Sequence, residues 1–302
     1  MKRAFTIGTD PEFFMREKET KKFISSVPHI KGTKHDPEKL PCGAGLQKDN
    51  VAVEFASVPA DSEAALVQSV RSAFMDIMTK LPEGHELVAV PSACFEDDQL
   101  RDEEALEFGC DPDYDAYERS MNSTPFCEDY TFRSCGGHIH LGHVKGQPYE
   151  FLLDPYGKLD TVLMMDAVLG TVSVVLDSSE DSVKRRELYG KAGCHRPTDY
   201  GVEYRVLSNF WLKSPQLVML MYRLSADVLR IMEEHDYKAF LDDVGTDNIK
   251  EIINDGNVKE AISIVEQKVK PMLSGETKEL LNECLLAGGT EQNLNKEWEL
   301  EV

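Results

Sequence analysis

Four short segments constrain this chain most, because in each of them ionisable residues take the polar half of a strand's alternation. In SCGGHIHLGH, Ile139 and Leu141 turn one way while His138 and His140 turn the other. In YGVEYRVLSNFW, Val202, Tyr204 and Val206 oppose Glu203 and Arg205. DNVAVEF sets Val51, Val53 and Phe55 against Glu54, and GTDPEFF offers Asp10 and Glu12 two positions apart. Successive side chains of an extended strand point to opposite faces, so each segment supplies one apolar and one reactive face. Such a sheet must cover its apolar side and can leave the other open to a ligand.

The remaining pattern places these segments in an α+β chain. Strands are expected at 3–7, 13–15, 22–25, 51–55, 86–90, 138–142 and 202–207. Residues 29–50, rich in Gly, Pro and Lys, read as a loop able to close over a ligand. Leu66, Val70, Phe74, Ile77 and Met78 repeat at helical spacing and predict a helix over 62–81, stopped by Pro82-Glu83-Gly84. Residues 91–130 are acidic and aperiodic and read as an excursion from the core. An apolar helix is expected over 155–176, followed by a polar break and a Gly-rich segment, RRELYGKAGCHRPTDYG. Ser214-Pro215 caps a helix over 214–235, and shorter helices follow near 237–243, 247–254, 256–268 and 275–286. The expected architecture is a curved, mainly antiparallel sheet with helices on one face, a catalytic domain over 1–235 and a C-terminal helical subdomain over 236–302.

Composition narrows the function. The 54 acidic residues outnumber 33 basic ones, for a formal charge of -21, which repels nucleic-acid backbones and draws divalent cations. No membrane span is expected, because the best apolar run, Val162–Leu176, is broken by Asp166. The N-terminus reaches Asp10 and Glu12 before any apolar leader develops, so a cytoplasmic protein is expected. The seven cysteines include no CxxC pair and read as reduced thiols.

The polar residues themselves suggest nucleotide chemistry. Hard ions such as Mg²⁺ prefer carboxylate oxygen and share their shell with substrate phosphate. Arg185, Arg186, Arg196 and Arg205 cluster between 185 and 205, and guanidinium groups match phosphate oxygens bidentately. A metal on one side and fixed positive charge on the other is what phosphoryl transfer requires. There is no GxxxxGK[ST] loop, no GxGxxG fingerprint and no GxSxG elbow. Cys135 beside His138 raises a thiol nucleophile, with no orienting partner evident in the sequence.

In this order, the motifs GTDPEFF, DNVAVEF, CGGHIHLG and RRELYGKAG…RP…YGVEYRVL resemble the phage-type carboxylate-amine (COOH–NH2) ligases, a group similar to glutamine synthetase and glutamate-cysteine ligase. The resemblance covers about residues 1 to 235 and implies a curved antiparallel sheet forming a funnel between ATP and substrate. It implies Mg²⁺ or Mn²⁺ bound by Asp10, Glu12, Glu54, His138 and Glu203. It also implies that ATP is held by His140, Arg185, Arg186, Arg196 and Arg205, with Arg186, Glu203 and Arg205 catalytic. The expected partners are a carboxylate and an amine, small molecules or peptides, with a homo-oligomer allowed. For a phage-encoded chain the compartment is the host cytoplasm. A phosphagen-kinase-like phosphotransferase, a metal-dependent hydrolase and an inactive scaffold on the same fold are the alternatives.

Overall fold

The computed structural model describes residues 4–106, 113–123, 127–287 and 293–300. Among them the strands are β1 Phe5–Thr9, β2 Glu12–Glu17, β3 Phe23–Ile24, β4 Glu38–Lys39, β5 Gly45–Asp49, β6 Ala52–Ala56 and β7 His85–Val88. There follow β8 Ser92–Cys94, β9 Tyr114–Asp115, β10 Ser120–Met121, β11 Phe132–Ser134, β12 Ile139–His143, β13 Cys194–Thr198 and β14 Gly201–Tyr204. The α-helices are α1 Glu63–Met78, α2 Glu103–Leu106, α3 Pro155–Met165, α4 Thr171–Leu176, α5 Glu180–Leu188 and α6 Pro215–Glu234. Beyond them lie α7 Tyr237–Val244, α8 Thr246–Asp255, α9 Val258–Ile264, α10 Lys270–Met272, α11 Gly275–Ala287 and α12 Leu294–Glu297.

The fold is α+β, but the strands form two main sheets rather than the single sheet expected. One has the order β1-β12-β14-β13-β9-β10 and the other β3-β2-β6-β5-β4, with β7 also on β2; β11 and β8 make a separate pair. All the ladders are antiparallel. The chain passes from the first sheet to the second at Asp10-Pro11, where proline has no N–H to continue a ladder. The segment after β6 bridges the seam: Ile7 and Ala60 exchange backbone hydrogen bonds at 2.8 and 2.7 Å, and Ser57 N–H donates to Thr9 O at 2.8 Å. The two sheets thereby curl into an antiparallel half-barrel.

Helices cover the outside. Ser62 caps α1, which buries Leu66, Val70, Ala73, Phe74 and Ile77; Phe74 meets Phe13, Phe55 and Trp298 edge-on. Behind the first sheet, α3, a π-helical stretch Asp166–Gly170 and α4 form one continuous helix. Against expectation, Pro155–Leu176 does have the length and apolarity to cross a membrane. Most of its apolar window, 72%, is buried inside the protein, and Asp166 is satisfied by internal hydrogen bonds.

Three expectations for local structure change. The 29–50 loop contains β4 and β5, which pair with each other and, through β5, with β6. The acidic stretch contributes β8, β9 and β10, and β9 pairs with β13, so it belongs partly to the sheet; its residues 107–112 and 124–126, with Cys110, Pro112 and Pro125, lie outside the described residues. The segment read as Gly-rich begins with a helix, α5, capped by Ser179.

The C-terminal residues join the same hydrophobic cluster as the sheet, through Ile253, Val265, Val269, Leu281 and Trp298. Trp298 is buried and donates its indole N–H to Leu212 O at 2.7 Å. Trp298→Ala is therefore expected to cost about 3–5 kcal/mol. Chemical denaturation should show this as a lower midpoint of one cooperative transition; an unchanged midpoint would show the C-terminal segment to be an independent appendage.

Candidate functional site

Strand register builds the first half of the site. Gly8 pairs with His140, His140 with Glu203, and Glu203 with Arg196, giving one row across β1, β12, β14 and β13. The neighbouring row, Thr9, Ile139, Tyr204 and His195, lies one residue away and faces the helices. The alternation read from the sequence therefore holds for this sheet. His138, just before β12, is carried by Gly136 and Gly137. A Cβ on Gly137 would lie 2.6 Å from Ser208 O and 2.7 Å from Trp211 Nε1, so only glycine admits this close approach.

Asp10, at the seam, closes the row. Its Oδ1 lies 3.2 Å from His138 Nδ1 and 3.1 Å from His140 Nε2. His138 Nδ1 is in turn 3.7 Å from Glu203 Oε1. Among the described residues, Asp10, His138 and Glu203 form a group of metal-capable donors whose atoms lie within 4.8 Å of one another. Asp10 Oδ1 is buried, and neither imidazole meets it with hydrogen-bond geometry. Burial disfavours the Asp10 carboxylate, but the imidazoles, His138 foremost, outweigh it and hold its pKa well below the usual range. Burial and the Arg205 charge lower the His138 pKa; at His140 burial is outweighed by Asp10, and the pKa rises. The other nitrogen of His140, Nδ1, lies 2.7 Å from the hydroxyl of Tyr200.

Arginines border the group. Arg205 Nη1 donates to Glu203 Oε1 and lies 3.2 Å from His138 Nδ1, while its Nε is 3.6 Å from Asp113 Oδ2. Arg196 Nη1 is 3.5 Å from Glu203 Oε1. Arg185 is buried and donates to Val206 O at 2.9 Å; burial lowers its pKa to about 10, against the pull of Glu12.

The second sheet supplies a separate acid row, in which Glu12 pairs with Glu54 and Glu54 with Gln47. Glu54 Oε2 accepts from Gln47 Nε2 at 2.7 Å, and Glu12 Oε2 accepts from Gly136 N–H at 2.6 Å. Burial and then the Asp49 charge push Glu12 up to about 7; burial and then Asp10, Asp49 and Glu12 push Glu54 well above its usual range. Burial also raises Asp49. Where burial and mutual repulsion raise the proton affinity of carboxyls this close together, a divalent cation among them would favour their charged forms. A cavity joins the two halves, with Glu12, Asp49, Asp113, His138, Arg185 and Arg205 on its wall.

The sequence-expected residues thus converge, but on the facing parts of two sheets rather than on one. Arg186 is the exception: it is buried, its Nη1 lies 3.6 Å from where a Cβ on Gly256 would stand, and the charge of Asp177, not of a site acid, partly offsets the lowering of its pKa by burial. Its neighbour Arg185 reaches the cavity because adjacent helical residues point about 100° apart. Asp49, Asp113 and Arg133 were not anticipated. Asp49 sits two places from Gln47 on β5, inside the stretch read as a loop, and Asp113 was hidden in the acidic excursion. Arg133 lines the cavity while donating to the carbonyls of Ala105, Tyr130 and Phe132. Cys135 is fully buried and its thiol pKa is pushed well up by burial, so it does not serve as a nucleophile.

Comparison with known proteins bears on the family and the fold. Residues 121–248 match the family model described as phage phiEco32-like COOH.NH2 ligase-type 2. The resemblance read from the motifs therefore holds over a stretch shorter than half the chain. That stretch carries His138, His140, Arg185, Arg196, Glu203 and Arg205, and it leaves out Asp10, Glu12 and Glu54. Among solved structures, a bifunctional glutathione synthetase from Pasteurella multocida superposes with a TM-score of 0.54 at 12% identity, over 98% of this chain and 48% of that one. This is a likeness of fold, and the chain spans about half the length of that protein. No curated protein sequence matches the chain.

The carboxyl of Asp166, behind the sheet, is pushed up to about 7 by burial, against hydrogen bonds from Tyr204, Tyr117 and Gly193. Unfolded, it titrates near 4, so the folded protein holds a proton that the unfolded chain has released. Its stabilisation is complete below about pH 4 and is lost as pH rises through about 7. In EDTA the thermal midpoint should fall between about pH 5 and 8, and Asp166→Asn should flatten that fall. Equal slopes in the two proteins would contradict the assignment.

Proposed function

We propose that the protein is an ATP-dependent carboxylate-amine ligase that joins its substrates through an acyl phosphate, with Mg²⁺ or Mn²⁺ held between Asp10, His138 and Glu203. The observation that carries this reading is the convergence of those three donor groups beside Arg196 and Arg205, at the seam of two sheets. The donor set fits a divalent ion. Two carboxylates and one imidazole leave coordination positions for water and phosphate oxygen, and the buried Asp10 Oδ1 has no hydrogen bond of its own. Glu12 and Glu54 would add oxygen ligands from the facing sheet. When bound, the metal draws charge from the phosphate oxygens of ATP.

In this reading the chain's own groups align the reactants. Arg205 and Arg185 neutralise the phosphoryl oxygens during transfer, with His140 and Arg196 on the nucleotide side. Arg185 takes the role that the motif pattern gave to Arg186. A substrate carboxylate oxygen forms a bond to the γ-phosphorus as the bond to ADP breaks. The amine nitrogen then bonds to the acyl carbon, inorganic phosphate leaves, and the nitrogen loses a proton. Activation is required because a carboxylate oxygen is a very poor leaving group. Positioning and charge neutralisation supply most of the rate.

The test is a screen of carboxylates and amines for ADP release with Mg²⁺ present, hydroxylamine being included to trap an acyl phosphate as a hydroxamate. ADP release that requires a carboxylate, together with hydroxamate formation, is expected. A stable phosphorylated product without amide, or hydrolysis indifferent to ATP, would contradict the reading. Glu203→Gln and Arg205→Ala should each lower turnover by about 100-fold or more while circular dichroism remains that of the folded protein. Turnover unchanged in both would refute their assignment.

A further inference from the structure

We infer that Asp166 is a positioning residue for the site: from behind the first sheet it fixes the strands that present Glu203, Arg205, Arg196 and Asp113. It opens the π-helical stretch and is fully buried. Oδ1 accepts from the Tyr204 hydroxyl at 2.6 Å, and Oδ2 accepts from Gly193 N–H at 2.6 Å and from the Tyr117 hydroxyl at 3.0 Å. The three donors belong to three different parts of the sheet. Tyr204 stands between Glu203 and Arg205 and points the opposite way. Gly193 immediately precedes β13, which carries Arg196. Tyr117 follows β9, beside Asp113.

Once ionised, above about pH 7, the carboxyl accepts all three donors through its two oxygens, whereas an amide turns an N–H toward one of them at every pH. The local backbone is also built around the contact. Gly193 has φ +81°, and a Cβ there would lie 2.7 Å from Tyr117 Cδ2, so the loop passes close against the tyrosine that shares its acceptor. Its carbonyl then accepts from Ala116 N–H at 3.1 Å, tying the loop to β9. π-Turns within α-helices are frequent at functional sites. Here the π-stretch begins at the residue whose side chain reaches the back of the metal-facing strands. This inference rests on the ligase reading, because what Asp166 positions is the proposed metal and phosphate face.

The test compares the wild type with Asp166→Asn, Tyr204→Phe and Tyr117→Phe. Hydrogen exchange followed by mass spectrometry should show faster exchange at 113–118 and 193–205 in Asp166→Asn, with 63–78 unchanged; unchanged exchange at 113–118 and 193–205 would overturn the inference. Mn²⁺ titration read by electron paramagnetic resonance, well below the unfolding transition, should show about tenfold weaker binding in Asp166→Asn and a smaller loss in Tyr117→Phe. A merely structural staple would lower the thermal midpoint and leave the Mn²⁺ affinity of the folded protein as it was, which would overturn the positioning role while leaving the ligase reading intact. If the wild type takes up no Mn²⁺, the ligase reading falls and the exchange result alone decides whether Asp166 holds these strands. Should Asp166→Asn not fold, the two tyrosine variants carry the same measurements.

Discussion

The arrangement depends on the carboxylate of Asp10, held between two imidazoles at the point where the chain leaves one sheet for another. Pro11 can donate to neither ladder, so β1 ends and β2 begins in a different sheet, and the residue between them is free of strand alternation. Asp10 Oδ1 lies within 3.2 Å of ring nitrogens of both His138 and His140. Glu203 faces it from β14. Burying carboxylates this close together is costly unless positive charge lies among them. Arg205 supplies part of that charge, and the proposed cation supplies the rest.

The seam also explains how acids from two sheets act on one another. Glu12 and Glu54 form a row on β2 and β6, separate from the row on β12 and β14. Asp10 and Asp49 nevertheless raise the proton affinity of Glu54, and Arg205 and Arg185 lower that of Glu12. Gly136 joins the halves mechanically, since it accepts from Glu12 N–H at 3.0 Å and donates its own N–H to the Glu12 carboxylate. Behind the first sheet, Asp166 resolves the apparent contradiction of an acid in an apolar helix, because its partners are hydroxyls and a backbone amide of the protein itself.

Much of this was legible in the sequence, for identifiable reasons. HIH and VEYR lie in or directly beside β12 and β14, whose apolar residues Ile139, Leu141, Val202 and Tyr204 are fully buried, so period-two alternation gave the faces of His140 and Glu203 correctly. Ser62 and Ser214-Pro215 announced their helices because capping is local chemistry. Alternation cannot say which sheet a strand joins, however, and so one surface was expected where two sheets meet. The β4–β5 pair was obscured by the Gly, Pro and Lys around it, and α5 by its shortage of apolar residues, only Val183 and Leu188. Asp113 reaches Arg205 only because β9 pairs with β13, a contact distant in sequence. The choice between Arg185 and Arg186 needed the rotation of a helix, which motif matching does not supply.

The central claim is that Asp10, His138 and Glu203 hold a divalent ion in front of a nucleotide's phosphates. Anomalous X-ray diffraction from crystals of the protein grown with Mn²⁺ and ADP tests it most directly. The account predicts a manganese peak bonded to all three side chains, with phosphate oxygen completing its shell and Arg205 alongside. Bound ADP with no manganese at these residues, or manganese held elsewhere on the chain, would contradict it.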